Sequence, residues 1–548
     1  MRPPVAQLDH RSNPCPAIVP NAVSASPTER SRCRVSESDN GCPSLTFDRS
    51  TTLGLSASSG KVHQRANGEV VGHVGLDDNV AGMSEGGSKR TSGSGNLVRR
   101  LYTTAILASR GRQEARVPFR SERWIHKRQQ RNLERVVAHA LRTVPFYGQA
   151  MQAGGLTRRD IGSCEGLSQL PLIDGTTLQQ DPLAFVSTAV PLERLVKLYS
   201  TGTAVYGAKT VYWRPQDMMS QIAHGERDRS ILRHLLGRSS RLVRLSFFHQ
   251  DSSTAMVSRF HAARLFVPRA AMETHWASCE LPFDQIAKRF EEIRPDVAYS
   301  YGSFAEAFLL HVRDNGWSVP LPKVWVFGGD GMSPESRRRI EEDLGCILYS
   351  TYQAVEAGRI GFECEERSGF HINVDLCHVR LVNDQGQTVA PGETGEVVLS
   401  SLLNRATVLL NYKLGDQAAW RTDPCPCGRR LPVLHLTGAR TGSTLRLRDG
   451  RELPEHAILH ACKESMHDVL QFQIVEHAPE SITWRVAVSH AADRTAIAED
   501  LVARSRSVMS SEAKIDVEFE DRLLPSRYGK LTRIVRASED STDNCSSG

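Results

Sequence analysis

The segment 286–351 alternates between helical and strand patterns, and this alternation limits the possible folds more than any other feature of the sequence. Apolar residues recur there at helical spacing in some stretches, and short β-branched runs of strand length stand between them. In chain order the predicted elements are a helix over 286–293, a strand over 296–301, a helix over 303–315, a strand over 323–327, a helix over 333–344 and a strand over 347–351. Such alternation is typical of a doubly wound α/β domain. Earlier in the chain, a helical pattern ends at Val144-Pro145, and a turn is predicted over 145–147.

Changes of pattern elsewhere predict the domain organisation. Strands and turns replace the alternation from 371 to 410, which predicts a β-rich subdomain. Residues 1–100 contain one aromatic side chain, Phe47, and too few apolar groups to offset chain entropy. The predicted parts are 1–118, a disordered leader or a stretch upstream of a true start such as Met83; 120–440, a large domain; 444–538, a small α+β lid; and 539–548, a disordered tail.

Composition and charge argue against several classes of protein. The 548 residues carry a net charge of +6, which is too small and diffuse to favour nucleic-acid binding. No run of 18 apolar residues occurs, and the first residues lack the pattern of a secretory signal. Twelve cysteines without such a signal favour reduced thiols. We expect a cytoplasmic protein without nucleic-acid or membrane partners, whose mild positive charge suits an anionic substrate.

Five short motifs could form a site for an anionic ligand, although each one alone is also explained by a surface turn. Gly328, Gly329 and Asp330 follow a predicted strand, where two glycines let the backbone approach a ligand closely. Glu356 follows the next strand and could ligate Mg²⁺ beside substrate phosphates. Asp416 lies in a predicted turn and could accept hydrogen bonds from ribose hydroxyls. The other two motifs are Gly438-Ala439-Arg440 and Tyr528-Gly529-Lys530, whose lysine could reach a phosphate.

Taken together and in this order, the motifs resemble the adenylate-forming superfamily, and most closely its phenylacetate–CoA ligase and coenzyme F390 synthetase-like family. The resemblance covers about residues 120–536. It is also carried by Val144-Pro145-Phe146-Tyr147, Leu170-Pro171-Leu172-Ile173, Gly369-Phe370-His371-Ile372-Asn373 and Cys425-Pro426-Cys427-Gly428-Arg429. It implies a large multi-layer N-terminal α/β domain with doubly wound sheets and a β-rich subdomain, followed by a small mobile C-terminal α+β domain.

The resemblance implies a role for each matched residue. Lys530, Glu356 and Arg440 are the predicted catalytic residues. By the resemblance, adenine is framed by Gly328, Gly329, Asp330 and Tyr352, and Mg²⁺ is ligated by Glu356. The ribose is held by Asp416, and Arg440 lies near the ribose and phosphate. Lys530 binds the substrate carboxylate and phosphate.

The predicted phosphate loop departs from the family pattern. Ser200, Thr201, Gly202 and Thr203 keep backbone and hydroxyl donors for phosphate oxygens, but the family's second glycine pattern and proline are missing. A plain loop is the alternative. Val355 stands where the family usually has a threonine, and the hinge after Arg440 lacks the usual aspartate.

Cys364, His371, Cys425 and Cys427 form a second group of candidates. Thiolates and imidazole are the ligands of closed, tetrahedral zinc sites. Family members with the same Cys-x₆-His and Cys-x-Cys pairs bind zinc there, so the resemblance implies structural Zn²⁺. Four unliganded residues and a zinc ribbon that binds nucleic acid are the alternatives.

The resemblance implies an enzyme that activates a carboxylic acid with ATP and then passes the acyl group to CoA. Several aromatic residues lie in the region where the family binds its acid. They could form a pocket for an aromatic acid or could simply pack in the core: Tyr299, Tyr301, Phe247, Phe248 and His249. Two other functions remain open: an adenylating enzyme that acylates an amine or a carrier in secondary metabolism, and a nucleotide-binding homologue without turnover. The expected partner is a small carboxylic acid, and a homodimer is left open.

Overall fold

The computed structural model describes residues 93–201, 208–237, 242–268, 271–440, 444–524 and 531–537. The α-helices within them are α1 (Gly93–Glu114), α2 (Glu122–Thr143), α3 (Pro145–Gly154), α4 (Gly175–Gln180), α5 (Pro215–His224), α6 (Glu226–Leu236), α7 (Ser253–Arg264), α8 (Phe283–Ile293), α9 (Gly302–Asp314), α10 (Pro334–Leu344), α11 (Glu455–Ala461) and α12 (Arg494–Val508). None of these helices combines the length and the apolar character that crossing a membrane requires.

The strands form one large sheet and three small ones. They are β1 (Val196–Thr201), β2 (Ala208–Trp213), β3 (Leu242–Phe247), β4 (Met272–Ala277), β5 (Val297–Ser300), β6 (Val324–Gly328), β7 (Ile347–Ala354), β8 (Gly358–Glu363), β9 (Phe370–Ile372), β10 (Cys377–Val382), β11 (Thr394–Ser401), β12 (Tyr412–Trp420), β13 (Val433–Arg440), β14 (Thr444–Arg446), β15 (Glu452–Pro454), β16 (Val469–Ala478), β17 (Ser481–Val488), β18 (Lys514–Phe519) and β19 (Ile534–Arg536). The large sheet has the strand order β10-β11-β12-β13-β9-β8-β7-β6-β5-β3-β4.

The parallel half of this sheet confirms the predicted α/β fold. Strands β4, β3, β5, β6 and β7 are parallel neighbours, and helices follow β3, β4, β5 and β6 as crossovers. Successive side chains of a strand point to opposite faces, so Val324 and Val326 enter one apolar core while Trp325 and Phe327 enter the other. The chain runs outward from β3 to β4 and then returns to the other side of β3. This reversal makes the carboxyl ends of β3 and β5 a switch point, where α/β sheets bind ligands.

The antiparallel half matches the strands and turns predicted over 371–410. Strands β8 to β13 pair antiparallel with one another and join the parallel half through β7. The sheet continues without a break, so the ends of β7 and the whole of β12 belong to one framework. That continuity fixes side chains from distant parts of the chain relative to one another.

The C-terminal region has its own four-stranded sheet and apolar core. The sheet order is β18-β17-β16-β19, and the core contains Trp484, Ile474 and Leu501. Arg522 joins this region to the loop between β4 and α8: it donates to the carbonyl oxygens of Cys279 and Leu281, the second at 2.6 Å. The predicted division at 440–444 stays a prediction.

Three predictions about local structure are wrong. Asp416, predicted in a turn, lies within β12 opposite Arg440. Ordered structure begins before residue 120, because α1 occupies part of the predicted leader and its Glu114 side chain forms an ion pair with Arg227 at 2.5 Å. The predicted turn at 145–147 is the start of α3, with Pro145 in the first turn. Proline disfavours helix for the residue before it, yet its fixed φ suits a helix start. Residues 1–92 and 538–548 lie outside the described residues.

Candidate active site and metal centre

A buried lysine joins two of the predicted motifs. Lys209 Nζ lies 3.4 Å from Glu356 Oε1 and 2.9 Å from the hydroxyl of Tyr412. Lys209 lies on β2, Glu356 follows β7, and Tyr412 begins β12, and all three are buried. The cation and the carboxylate therefore meet at the junction of three strands, out of bulk water, where their attraction is stronger than at the surface.

Sequence reasoning missed Lys209. Its position two residues after Gly207, at the end of the predicted phosphate loop, was the available signal. The loop departs from the family pattern at Ala204 and Val205, so the pattern did not identify Lys209. Only the fold brings the lysine to Glu356.

The predicted ribose acid and one predicted adenine residue are hydrogen-bonded. The Tyr352 hydroxyl donates to Asp416 Oδ2 at 2.7 Å, and both side chains are buried. In the pairing of β12 with β13, Asp416 lies opposite Arg440. The sheet thus places the backbone of Arg440 beside Asp416, while the side chain of Arg440 lies outside the described part of the structure.

The glycine-glycine-acid motif closes the loops that follow β5 and β6. Asp330 accepts hydrogen bonds from the Gly302 amide at 2.5 Å and the Ser303 hydroxyl at 2.6 Å, so it caps the first turn of α9. A Cβ on Gly328 would lie 2.8 Å from the Thr351 carbonyl oxygen, which explains why β6 ends in glycine. Gly329 has a φ of +88°, a conformation that favours glycine. The motif therefore shapes the carboxyl edge of the sheet next to the switch point.

The predicted phosphate loop connects β1 to β2. These strands form an antiparallel hairpin in which Ser200 lies opposite Lys209 and Thr201 opposite Ala208. Only the backbone of Ser200 and Thr201 is described, and Gly202 and Thr203 lie outside the described residues. Because Lys209 contacts Glu356, the hairpin brings the base of the loop to the predicted magnesium ligand. Lys530 and the hinge at 441–443 also lie outside the described residues.

Of the aromatic residues predicted for an acid pocket, Phe247 and Tyr301 belong to one buried core, and Phe248 packs against that core while only partly buried. Phe247 is fully buried and packs on Phe290 and Trp325, so it belongs to the core. Phe248 is half-buried at the end of β3 and meets Tyr301 edge to face, with ring centres 5.1 Å apart. These two rings remain as candidates to contact an acid at the switch point.

The four predicted zinc ligands converge. Their ligand atoms all lie within 4.8 Å of one another, with Cys364 Sγ 3.6 Å from Cys425 Sγ and Cys427 Sγ 3.3 Å from His371 Nε2. Cys364 follows β8, His371 lies on β9, and the pairing of His371 with Val433 brings the loop before β13 alongside. The antiparallel half of the sheet therefore assembles the cluster.

The cluster fits a tetrahedral zinc ion. Bond lengths of about 2.0–2.3 Å place the ligand atoms of such an ion roughly 3.5–3.8 Å apart, close to the two separations given above. His371 Nδ1 lies 3.0 Å from the Leu431 carbonyl oxygen, which fixes the proton there and leaves Nε2 for a metal. Burial lowers the pKa of His371 to about 4, so the ring is neutral at neutral pH, as a ligand must be. Burial also raises the pKa of the Cys364 thiol to about 12, and a cation would reverse that effect.

Comparisons with known proteins agree on one kind of enzyme. The chain is 24% identical to a phenylacetate–coenzyme A ligase of Thermus thermophilus over 445 residues, 74% of this chain and 95% of the relative. It is 22% identical to a phenylacetate–coenzyme A ligase of Aromatoleum evansii over 73% of this chain and 91% of the relative. No protein-family model matches.

A solved structure agrees with the fold. A 2-hydroxyisobutyryl-CoA ligase in the postadenylation state superimposes with a TM-score of 0.61 at 18% identity, over 78% of this chain and 92% of that one. The fold is thus that of adenylate-forming ligases, and the relatives that share most of their length with it are phenylacetate–CoA ligases. The chain is therefore similar to phenylacetate–CoA ligases over most of its length and of theirs, and it has the fold of a CoA ligase of known structure.

Proposed function

We propose that the chain activates a carboxylic acid with ATP to an acyl-adenylate and then transfers the acyl group to CoA. The observation that carries the proposal is the buried meeting of Lys209, Glu356 and Tyr412 beside the Tyr352–Asp416 pair. It supplies a carboxylate suited to a divalent cation and an acid suited to ribose hydroxyls within one sheet. Relatives named as CoA ligases support the same activity.

In the first step, an oxygen of the substrate carboxylate attacks the α-phosphorus of ATP. A phosphorus–oxygen bond forms, the bond to the β-phosphate bridge breaks, and pyrophosphate leaves. Both reactants are anionic, so the site has to neutralise charge as they approach. We assign this task to Lys209 at the base of the loop and to Lys530. Glu356 would hold Mg²⁺, which supplies further charge neutralisation when bound.

In the second step, the sulfur of CoA attacks the acyl carbonyl carbon, a thioester bond forms, and AMP leaves with the electron pair of the acyl–phosphate bond. Asp416 and Arg440 would keep the ribose and phosphate of AMP in place, and Asp330 and Tyr352 would shape the adenine side of the site. The acyl group would lie beside Phe248 and Tyr301.

We also propose that Cys364, His371, Cys425 and Cys427 hold a structural zinc ion. All four positions are filled by protein ligands, as in closed zinc sites, which argues for stability and against a role in the chemistry. Among the described residues the cysteines are unbridged thiols, which supports a reducing compartment and a cytoplasmic enzyme.

The test is acid-dependent ATP–pyrophosphate exchange with a panel of aryl and arylacetic acids. Lys530→Ala is expected to abolish the exchange, while the matched control Lys514→Ala, at an exposed position of β18, is expected to keep it. Mass spectrometry with CoA, with an amine, or with neither then identifies the acceptor. Exchange absent with every acid, while ATP still binds, would replace the proposal by the nucleotide-binding homologue without turnover.

A further inference from the structure

Arg244 has no carboxylate partner among the described residues. It is half-buried on β3, and its Nε donates to Ser246 Oγ at 3.0 Å. Its Cζ lies 4.6 Å from the ring centre of Tyr299 and 5.8 Å from that of Trp276. Aromatic contacts of this kind hold the flat face of a guanidinium and leave its edge available for hydrogen bonds. Within the described residues, neither Nη atom donates to a protein oxygen, so this edge has unused donors.

The sheet register places these side chains on one face. Ser246 lies directly opposite Trp276 on β4 and opposite Tyr299 on β5. Arg244 is two residues from Ser246 and therefore points to the same side. Trp276 is 43% exposed on the edge strand, so this group of side chains reaches solvent at the edge of the sheet.

An aromatic wall connects Arg244 to the predicted acid pocket. The ring centre of Trp276, which contacts Arg244, lies 6.1 Å from that of Phe248. Phe248 in turn meets Tyr301 at 5.1 Å. A ligand group bound at Arg244 would therefore lie at the far end of the same wall that carries the proposed acyl group.

The charges around Arg244 leave its own charge uncompensated. The neighbouring guanidinium groups are already paired: Arg229 with Glu226 at 2.5 Å, and Arg359 with Asp228 at 2.7 Å. Burial lowers the pKa of Arg244; Tyr299 raises it in part, and the charges of Arg229 and Arg359 lower it further. An anion at the free edge would reverse this unfavourable environment, because it would supply the missing opposite charge.

We propose that Arg244 binds an anionic oxygen group of an incoming ligand, a carboxylate or a phosphate, beside Trp276 and Tyr299. The planar guanidinium offers two parallel donors, the geometry that both groups accept. Two sources share this chemistry: a second carboxylate on the organic acid, reached along the aromatic wall, or a phosphate of CoA. The choice of source rests on the proposed function, whereas the anion site itself does not.

The test measures binding without ATP, so that it does not depend on turnover. The probes are inorganic phosphate, terephthalate with benzoate as its monocarboxylate counterpart, and CoA with 3′-dephospho-CoA. Tryptophan fluorescence reports binding, and Trp276→Phe separates the response of Trp276 from that of the chain's other tryptophans. The variants are Arg244→Met, Arg244→Lys, and the matched control Arg289→Met, an exposed arginine of α8.

At least one dianionic probe is expected to bind, and Arg244→Met is expected to weaken it about 10- to 100-fold, the loss expected for a charge-assisted pair. Arg244→Lys should give an intermediate loss because it keeps the charge without the planar fork, and Arg289→Met should change nothing. Terephthalate bound better than benzoate identifies the acid as the source; CoA bound better than its dephospho form identifies CoA. Equal affinities in the wild type and Arg244→Met, or no binding of any probe, would overturn the proposal. Anion binding that depends on Arg244, together with no ATP–pyrophosphate exchange, would support the anion site and refute the proposed function.

Discussion

Replacing Arg227 with methionine is expected to destabilise the fold strongly. Arg227 is 1% exposed and lies between two carboxylates, Glu114 of α1 and Asp375 after β9. It donates to Asp375 through both Nη atoms at 2.8 Å, to Glu114 Oε2 through Nε at 3.0 Å, and to Asn373 Oδ1 at 2.8 Å. Methionine fills much of the same volume but leaves the buried acids with too little positive charge.

The loss of stability in Arg227→Met depends on the charges that remain around Glu114 and Asp375. Removing one partner of a buried ion pair costs about 3–5 kcal/mol, because the other charge stays buried without compensation. Arg128 still pairs with Glu114 at 2.6 Å and with Asp375 at 3.0 Å, so the lower part of that range applies. We therefore expect a loss of about 3–4 kcal/mol in the free energy of unfolding at pH 7.

The pH dependence has a definite sign. Burial alone would raise the pKa of Asp375 and of Glu114, but Arg227 and Arg128 outweigh it and lower both pKa values. Their stabilising contribution is therefore complete above the unfolded pKa, about 4, and is lost as the pH falls through the lower folded values. In Arg227→Met the main cause of the lowering is gone, so the gap between wild type and variant should narrow as the pH falls below about 4.

Urea unfolding, followed by circular dichroism, measures this difference. The double variant Arg227→Met/Asp375→Asn should lose less than the sum of the single variants, because the second change removes the stranded charge. The control Arg338→Met removes an exposed arginine that pairs with Glu335 and Glu342 along α10, and it should leave the midpoint unchanged. Arg227→Met within 1 kcal/mol of wild type, or strictly additive single variants, would refute this reasoning.

Three further predictions concern the candidate sites. Cys427→Ala should lose stoichiometric zinc, measured by metal analysis of the purified protein, and should lower the unfolding midpoint; a variant with full zinc content contradicts the ligand assignment. Lys209→Met should reduce ATP–pyrophosphate exchange roughly 10²–10³-fold, since it removes a buried cation beside Glu356, and an unchanged rate would exclude that role. Tyr352→Phe should raise the KM for ATP about tenfold with little change in kcat, because the hydroxyl orients Asp416; a fall in kcat alone would contradict this.

The hydrophobic period and the lengths of the segments were sufficient to predict β5, β6 and β7, three of the five parallel strands, but not β3 and β4. The helix predicted over 333–344 is Pro334–Leu344, since its apolar spacing and its serine cap act locally. Helix α1 escaped prediction because it begins Gly-Ser-Gly and because apolar side chains such as Leu97, Val98 and Leu101 stay exposed instead of forming a core-facing stripe. Contacts distant in sequence hold it, such as Arg100 Nε donating to the Leu265 carbonyl oxygen at 2.9 Å.

The candidate sites show the same limit. The rare ligand types of the cysteine–histidine cluster made its members recognisable from sequence, and the structure brings all four together. The contact between Lys209 and Glu356 depends on how a hairpin lies against the large sheet, which no local pattern encodes. A contact that depends on tertiary packing cannot be predicted from local sequence and is visible only in the folded structure.

The attachment of Arg522 has a consequence for motion. Its guanidinium is bound to two carbonyl oxygens and lies 4.3 Å from the ring centre of Phe283, and its Nε is buried without a hydrogen-bond partner among the described residues. Moving the C-terminal region away from α8 and the loop before it has to break these contacts together, since one rigid guanidinium plane makes them all. The rate at which this one side chain leaves its partners therefore contributes to how long the C-terminal region stays bound to the segment 279–283. Release is also favoured in one respect: once the guanidinium is free, water can bind all of its donors, including the Nε that protein contacts leave without a partner.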